Sequence, residues 1–217
     1  MARTTTTTPR PLRRDAERNR ARIVDAARAA FAAEGIDVSV EEIARRAGVG
    51  MGTLYRRFPT KGDLVDAVLE DAIADVCEAA RSALETDDAW AAFTTFLERV
   101  FELHVSNRGL KDVIASGEHD LDRLQALRAR MRPLVAEVVA RAQSQGTLRP
   151  DFAAEDMPML FWTGGRVAEV ASDVAPDLWR RYLGFMLDGL RADAATPLPT
   201  RPLTRAQLDR VQTRRSG

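Results

Sequence analysis

Apolar residues recur at three- and four-residue spacing along most of the 217-residue chain, and strict alternation of apolar and polar residues is missing. The first period places apolar side chains on one face of an α-helix, whereas alternation is typical of a β-strand. The pattern therefore predicts an all-α protein. The first predicted helix ends near residue 34. The later predicted helices cover residues 40–47, 49–58, 61–84, 88–104, 121–142, 153–172 and 176–192.

Two short helices joined by a glycine turn are predicted within residues 39–61. Ser39 followed by Glu42 is a capping-box pattern, in which two side chains accept hydrogen bonds from the free amides at a helix start. Gly48 is expected to end this helix because glycine readily adopts the left-handed backbone conformation. Leu54 and Phe58 direct the next short helix back onto the same small core. This arrangement is typical of a helix-turn-helix.

The outer face of the second short helix is predicted to be polar and cationic. It carries Thr53, Tyr55, Arg56 and Arg57. These side chains can hydrogen-bond to base edges and phosphates in a major groove. The sequence therefore indicates a unit that binds duplex DNA.

Charge is divided unevenly, although the formal net charge of the whole chain is zero. Residues 1–62 carry 13 Lys and Arg against 7 Asp and Glu, whereas residues 63–217 carry 19 against 25. A cationic end on an anionic body is expected when only one end meets phosphates. Uneven charge is also common on helical surfaces, so it supports DNA binding only together with the helix-turn-helix.

The run GVGMGTLYRRFPTKGDLVDAVL resembles the DNA-binding segment of TetR-type transcriptional regulators. The preceding run, RARIVDAARAAFAAEGIDVSVEEIA, resembles the long first helix of that family. The resemblance covers roughly residues 15–70, and its T-L-Y-x-x-F-x-x-K core is specific. It implies a ligand-responsive repressor that binds a palindromic double-stranded DNA operator as a homodimer and responds to a small-molecule effector.

Nine residues are predicted to contact DNA. Thr53 and Tyr55 match the threonine and aromatic positions of the family core, and Lys61 is expected to bind a phosphate near the next helix start. Arg57 departs from the pattern, because many relatives have histidine there. The full set is Ser39, Gly50, Met51, Gly52, Thr53, Tyr55, Arg56, Arg57 and Lys61.

Four segments are predicted along the chain. Residues 1–14 are expected to form a disordered basic arm, because Thr, Pro and Arg dominate them. Residues 15–62 form the DNA-binding domain, residues 63–192 a larger helical effector-binding and dimerisation domain, and residues 193–217 a tail. Because neither a signal peptide nor an apolar run of roughly 18 residues is present, we expect a cytoplasmic protein that does not span a membrane.

An effector pocket and a dimer seam are predicted in the second domain. The pocket, apolar with a few polar groups, is expected at Phe93, Phe101, His104, Met131, Phe161, Trp162 and Arg166. The alternative for His104 is a satisfied core or surface histidine, and for Arg166 a surface salt bridge with Glu169. The dimer seam is expected at Gly164, Gly165, Ala168, Tyr182 and Met186, although packing inside one chain explains these positions equally well.

The motifs of common enzymes are missing from the sequence. It contains no GxGxxG after a predicted strand, no GxSxG and no HExxH. No cofactor or metal site is predicted, since acidic capping of a helix start explains the cluster Glu118, His119, Asp120 and Asp122. A helical protein-interaction module that binds no DNA is the main alternative function, and an enzyme is the other.

Overall fold

The computed structural model describes residues 10–106, 120–193 and 195–214. Helices dominate this part of the chain, which confirms the all-α prediction, and its β-structure is limited to an isolated bridge between Leu148 and Arg191. None of these helices is long and apolar enough to cross a bilayer. The helices are α1 Arg10–Glu34, α2 Val40–Ala47, α3 Met51–Arg57, α4 Lys61–Leu84, α5 Ala89–Ser106, α6 Leu121–Ser144, α7 Met157–Val170, α8 Leu178–Leu190 and α9 Arg205–Arg214, with a 3₁₀ turn at Ala154–Asp156.

The first hydrophobic core is built by α1, α2, α3 and the beginning of α4. Phe31 of α1, Ile43 of α2 and Leu54 of α3 are each no more than 1% exposed. The first turns of α4 add five apolar residues between positions 64 and 69. Leu124 of α6 packs into the same core. The helix-turn-helix is therefore held by elements on both sides of it in sequence.

α4 contributes to both hydrophobic cores. The predicted domain boundary falls between residues 62 and 63, and the first turns of α4 belong to the first core and the later turns to the second. α4 is continuous from Lys61 to Leu84. A single helix therefore joins the two cores as a rigid element.

The second core lies between the later part of α4 and helices α5 to α8. Phe101 of α5 is fully buried where α7 and α8 meet α5. Its ring centroid is 4.9 Å from that of Phe161 on α7 and 5.9 Å from that of Trp179 on α8. One aromatic residue of α5 thus holds two later helices in place.

The start and end of α2 follow local signals in the sequence. Ser39 Oγ accepts a hydrogen bond from the amide of Glu42 at 3.2 Å. The Glu42 carboxylate binds Arg45 and Arg46, so only one half of the predicted capping box is formed. Gly48 ends the helix with φ of 62° and ψ of 39°, as predicted from its left-handed preference.

Side-chain caps also start α4 and α6. Thr60 and Asp63 form a reciprocal capping box at the start of α4. Asp120 accepts hydrogen bonds from two backbone amides in the first turn of α6. This agrees with the capping role predicted for the acidic cluster at this helix start. Glu118 and His119 lie outside the described residues.

Helices lie near both ends of the part of the chain that the structure describes. α1 begins at Arg10, so residues 10–14 are helical and do not belong to a disordered arm. Residues 1–9 lie outside the described part of the structure. The predicted tail contains α9, whose Leu208 is only 2% exposed. α9 therefore packs on the body of the protein.

Arg149 ties three segments of the second domain together. Its buried guanidinium donates hydrogen bonds to the carbonyl oxygen of Gly189 at 3.0 Å and to that of Thr196 at 2.6 Å. It also pairs with Asp151 at 2.6 Å, and this hydrogen bond lowers the pKa of the Asp151 carboxyl. The end of α8 and the segment that leads to α9 are thereby held beside the end of α6.

Candidate nucleic-acid interface and ligand cavity

α3 exposes polar side chains because its apolar residues are buried. Leu54 is 1% exposed, and Phe58, which follows the helix, is 5% exposed. By contrast, Tyr55 is 46% exposed, and Arg56 and Arg57 are also exposed. The fold therefore leaves three of the predicted DNA-contact side chains accessible from outside.

The other side chains of the predicted set are more restrained. Thr53 is half-buried, and its hydroxyl accepts a hydrogen bond from Arg56 at 3.3 Å, which orients that guanidinium. Met51 packs against the first core, so only part of its side chain is available to a thymine methyl group. Ser39 is exposed, with its hydroxyl capping α2, and Lys61 is half-buried at the first position of α4.

Gly50 and Gly52 leave open space at the tip of the helix-turn-helix. A Cβ atom built at either position would meet nothing within 4 Å. Gly50 has φ of −74°, which other residues adopt as easily. Neither close packing within the chain nor a left-handed backbone conformation therefore requires a glycine at position 50. The absence of side chains leaves room for another molecule to approach the backbone closely.

Arg22 of α1 lies beside the turn between α2 and α3. Its Nη2 atom donates a hydrogen bond to the carbonyl oxygen of Gly48 at 3.4 Å, and its side chain is exposed. A cation at this position extends the positive surface next to α3. Arg22 was not among the predicted contacts, because spacing along α1 does not show which turn of that helix faces the helix-turn-helix.

Glu42 holds two further arginines on α2. Its carboxylate accepts hydrogen bonds from Arg45 and from Arg46, each with a shortest distance of 2.6 Å, and Arg46 also pairs with Glu34. The bonds from Arg45, and then those from Arg46, lower the pKa of Glu42 to about 2. The positive charges at the end of α2 are therefore held in defined positions by one carboxylate.

This pKa predicts how the acid stability of the protein depends on Glu42. The pKa of Glu42 is about 2 in the folded chain, against an ordinary value of 4.5. Its stabilising contribution is therefore present above about pH 4.5 and is lost as the pH falls towards 2. As the pH is lowered from about 4.5 to about 2, we expect the melting temperature of Glu42→Gln to fall less than that of the parent.

The exposed neighbour Glu41 provides the control for this experiment, since it forms no ion pair with the residues that the structure describes. Glu41→Gln should follow the pH profile of the parent. Raising the salt concentration should reduce the difference between parent and Glu42→Gln, because exposed ion pairs are screened. Identical profiles for Glu42→Gln and the parent at low salt would contradict the prediction.

A cavity of about 560 Å³ lies in the second domain. Its wall is formed by side chains of α4, α5, α6, α7 and α9, together with the 3₁₀ turn. Volumes of this size are typical of sites for small organic ligands. Four of the residues predicted for an effector pocket line it, namely His104, Met131, Phe161 and Trp162.

The other three residues predicted for the pocket do not line this cavity. Phe93 and Phe101 are fully buried in the hydrophobic core and do not line the cavity. Arg166 is exposed and pairs with Glu169 at 2.8 Å, three residues later on α7. Helical spacing places residues on the faces of a helix. It does not show which face borders a cavity.

The cavity also has a cluster of arginines that was not predicted from the sequence. Arg128 and Arg132 of α6 and Arg205 of α9 line it, together with Glu155 of the 3₁₀ turn. Four-residue spacing places Arg128 and Arg132 on one side of α6. The contribution of α9 had no signal in the sequence, because only the folded chain brings residues 205–214 to α6.

The residues predicted for the dimer seam lie in different environments in the single chain. Gly164, Gly165 and Ala168 are buried within the chain. A Cβ atom at Gly164 would lie 2.1 Å from the Cε1 atom of Phe101, so this glycine allows α7 to approach α5. Tyr182 is 43% exposed, and Met186 is half-buried against the second domain.

No group of three or more His, Cys, Asp or Glu side chains suited to a metal ion occurs among the residues that the structure describes. Cys77 is buried on α4. The two candidate binding sites are thus the exposed polar face around α3 and the cavity with its cluster of arginines.

Two family models match the chain. Residues 23–68 match the family described as bacterial regulatory proteins, tetR family. Residues 88–192 match the family described as transcriptional regulator SbtR-like, C-terminal domain. The first match contains the helix-turn-helix, and the second covers most of the body.

Solved structures and curated proteins agree with these matches. A TetR transcription regulatory protein from Mycobacterium vanbaalenii is 36% identical with a TM-score of 0.66, and the match covers 83% of this chain and 99% of that one. A TetR transcriptional regulator from Streptomyces coelicolor is 30% identical with a TM-score of 0.66, covering 81% and 99%. An HTH-type transcriptional regulator from Staphylococcus aureus is 31% identical over 113 residues, which span 51% of this chain and 60% of that protein.

Proposed function

Because the chain belongs to the TetR family of transcriptional regulators, we propose that it binds a palindromic DNA operator as a homodimer and is released by a small molecule. Its family and fold indicate a regulator rather than an enzyme. In this proposal the protein acts in the cytoplasm and represses transcription by occupying DNA that overlaps a promoter.

The observation that carries DNA binding is the exposure of Tyr55, Arg56 and Arg57 around a buried Leu54. A short helix with this distribution can enter a major groove while its apolar residues stay in the protein core. In the proposal, Arg56 or Arg57 reads a guanine edge, and Lys61 binds a phosphate together with Ser39. Thr53 orients Arg56, while Gly50, Met51 and Gly52 allow the backbone to approach the duplex closely.

A homodimer is supported by apolar side chains that the single chain leaves uncovered near the end of α7 and on α8. Phe185 is 56% exposed and Tyr182 43%, with ring centroids 6.1 Å apart. Val170 and Val174 are 70% and 91% exposed. We assign this surface to a second copy of the chain, with Met186 at its edge. A two-fold axis there would present two α3 helices to half-sites about one helical turn of DNA, or a multiple of it, apart.

Coupling between cavity and DNA surface is supported by two helices that reach both. α4 contributes to the first core and lines the cavity with Val76. Val76 lies fifteen residues after Lys61, or about 22 Å along the helix axis. α6 places Leu124 in the first core and Met131 in the cavity wall. A ligand that shifts either helix would therefore move the base of the DNA-binding unit.

The start of α6 is also attached directly to α4. The carboxylate of Asp66 accepts a hydrogen bond from the amide of Asp120 at 3.1 Å. Arg123 pairs with Glu70 at 2.9 Å. These contacts support coupling between the two sites. In the proposal the coupling is negative, so that ligand and DNA weaken each other's binding by the same factor.

DNA binding is tested with a duplex selected from a random pool, using fluorescence anisotropy at several salt concentrations. We expect affinity to fall steeply with salt, and Tyr55→Ala, Arg56→Ala and Lys61→Ala each to weaken binding by about 1–3 kcal/mol. Lys61→Ala should reduce the slope of log affinity against log salt concentration by about one, which corresponds to one lost phosphate contact. Tyr55→Ala should leave this slope unchanged. Sedimentation of the complex should give two chains per operator.

The control is Arg81→Ala, which removes an exposed cation from the far end of α4 and should leave DNA affinity unchanged. Parent-like binding by Tyr55→Ala, Arg56→Ala and Lys61→Ala would contradict the assigned contacts. Failure of the parent to select any duplex at low salt would instead favour the alternative of a protein-interaction module.

A further inference from the structure

The cavity combines an apolar wall with a cluster of positive charges. Phe96, Met131 and Phe161 belong to the apolar part, and Leu208 of α9, 2% exposed, contributes to the wall from the end of the chain. Arg128 and Arg132, with Arg205, provide the cationic part. A ligand that fills this space must match both surfaces.

Arg128 is a cation without a matching carboxylate. Burial lowers the pKa of its guanidinium, which means that its charge is poorly solvated, while Asp209 raises this pKa and Arg205 lowers it. Among the residues that the structure describes, no carboxylate lies within ion-pair distance of Arg128. Arg128 is half-buried, so an anion that pairs with its guanidinium would compensate for the water that burial removes.

The nearby negative charge is already shared. Asp209 of α9 accepts hydrogen bonds from Arg132 at 3.3 Å and from Arg205 at 2.6 Å. Glu155 also lines the cavity and forms no ion pair with the described residues. Three guanidinium groups therefore line a cavity in which one carboxylate serves two of them.

We propose that the cavity binds an amphipathic carboxylate, with its carboxylate group on Arg128 and Arg132 and its alkyl chain between Phe96, Met131 and Phe161. The planar guanidinium group suits a carboxylate because it can donate two parallel hydrogen bonds. The apolar wall accounts for the chain, since burial of alkyl groups is favourable in proportion to the area removed from water. This inference rests on the proposed function and names the ligand class of its effector site.

Asp209 gives α9 a part in the same site. Its carboxylate pairs with Arg132 and raises the pKa of Arg128. It would therefore compete with the carboxylate of a ligand for these two arginines. Ligand binding releases Asp209 from Arg132 and weakens the attachment of α9. α9 therefore lines the cavity, and its Asp209 carboxylate pairs with an arginine that the carboxylate of the ligand would bind.

The test is calorimetric titration of the full chain, without DNA, with three compounds that share one alkyl chain. We expect dodecanoate to bind at least about tenfold more tightly than 1-dodecanol, and dodecylamine to bind more weakly than either. Arg128→Met should weaken dodecanoate at least about tenfold and leave 1-dodecanol within about twofold. The matched control is Arg130→Met, which removes an exposed arginine two residues away on α6.

A second variant makes a prediction of opposite sign. Asp209→Asn removes the competing anion, so it should strengthen dodecanoate binding several-fold without strengthening 1-dodecanol. Asp188→Asn removes the same charge from an exposed position on α8 and should change neither. A merely structural role of Asp209 would weaken both compounds together.

The outcomes separate this inference from DNA binding, which is measured without any ligand. Equal affinities for dodecanoate and 1-dodecanol, or equal losses in Arg128→Met and Arg130→Met, would overturn the anionic assignment while leaving the regulator intact. Failure of all three compounds to bind would overturn the amphipathic assignment. Weaker dodecanoate binding by Asp209→Asn would overturn the competition by α9.

Discussion

Phe101→Ala is expected to lower the free energy of unfolding by about 3–5 kcal/mol, the usual cost of removing a fully buried phenylalanine. Phe101 is 0% exposed and contacts the rings of both Phe161 and Trp179. The substitution leaves a cavity between α5, α7 and α8. Urea unfolding followed by far-UV circular dichroism measures the change. Tyr55→Ala, an equally large truncation at a 46% exposed position, should cost far less.

A double-mutant cycle with Gly164 shows whether the contact with Phe101 sets this cost. The Cβ atom of Gly164→Ala would lie 2.1 Å from Phe101 in the parent, so overpacking should cost about 1–3 kcal/mol there. In the Phe101→Ala background the same methyl group enters the space that the ring has left, and its cost should largely disappear. Additive effects of the two substitutions would contradict the packing described here.

This contact also matters for the proposed dimer. α7 and α8 carry the exposed apolar side chains assigned to the second copy, and Phe101 holds both helices against α5. Loss of the ring should therefore reduce dimer stability as well as the stability of the chain. The exposed residues of α8 provide the surface, while buried contacts of α5 give that surface its position.

Arg149→Met is expected to lower the free energy of unfolding by about 3 kcal/mol, because it leaves two carbonyl groups without their charged donor. The acceptors are the carbonyl oxygens of Gly189 and Thr196, and Arg149, which donates to them, is only 8% exposed. Urea unfolding gives the total cost. Hydrogen exchange should show the largest loss of protection at the end of α8 and in the segment that leads to α9.

Arg166→Met is the matched control for Arg149→Met. Arg166 pairs with Glu169 on the exposed side of α7, and such pairs contribute little to stability. We expect a change within about 0.5 kcal/mol for this variant. Equal effects of Arg149→Met and Arg166→Met would show that the buried position of Arg149 has no particular importance for the fold.

Much of the DNA-binding unit was predictable because its signals are local. Ser39 caps a helix through the amide of Glu42, three residues away, and Gly48 ends that helix through its own backbone conformation. The spacing of Leu54 and Phe58 predicted which side of α3 would be buried, and both are. These features depend on hydrogen bonds and periodicity within a few positions, so the sequence contains them directly.

The second domain was predictable as a set of helices but not as a surface. Phe101 and Gly164 were predicted as a pocket residue and a dimer residue, and the structure places them against each other inside the chain. Helical periodicity shows that a side chain is buried, but a core contact, a cavity wall and a subunit seam have the same periodicity. The difference depends on which helices pack together.

The sequence by itself determined the helical class, the helix-turn-helix with its caps, and the exposure of Tyr55, because short-range hydrogen bonding and apolar spacing specify them. Only the tertiary structure decided that Arg22 lies beside the turn of that unit, that α9 lines the cavity, and that Arg128 forms no ion pair with the described residues. These features join positions far apart along the chain. Their geometry follows from the mutual packing of whole helices, which no local pattern encodes.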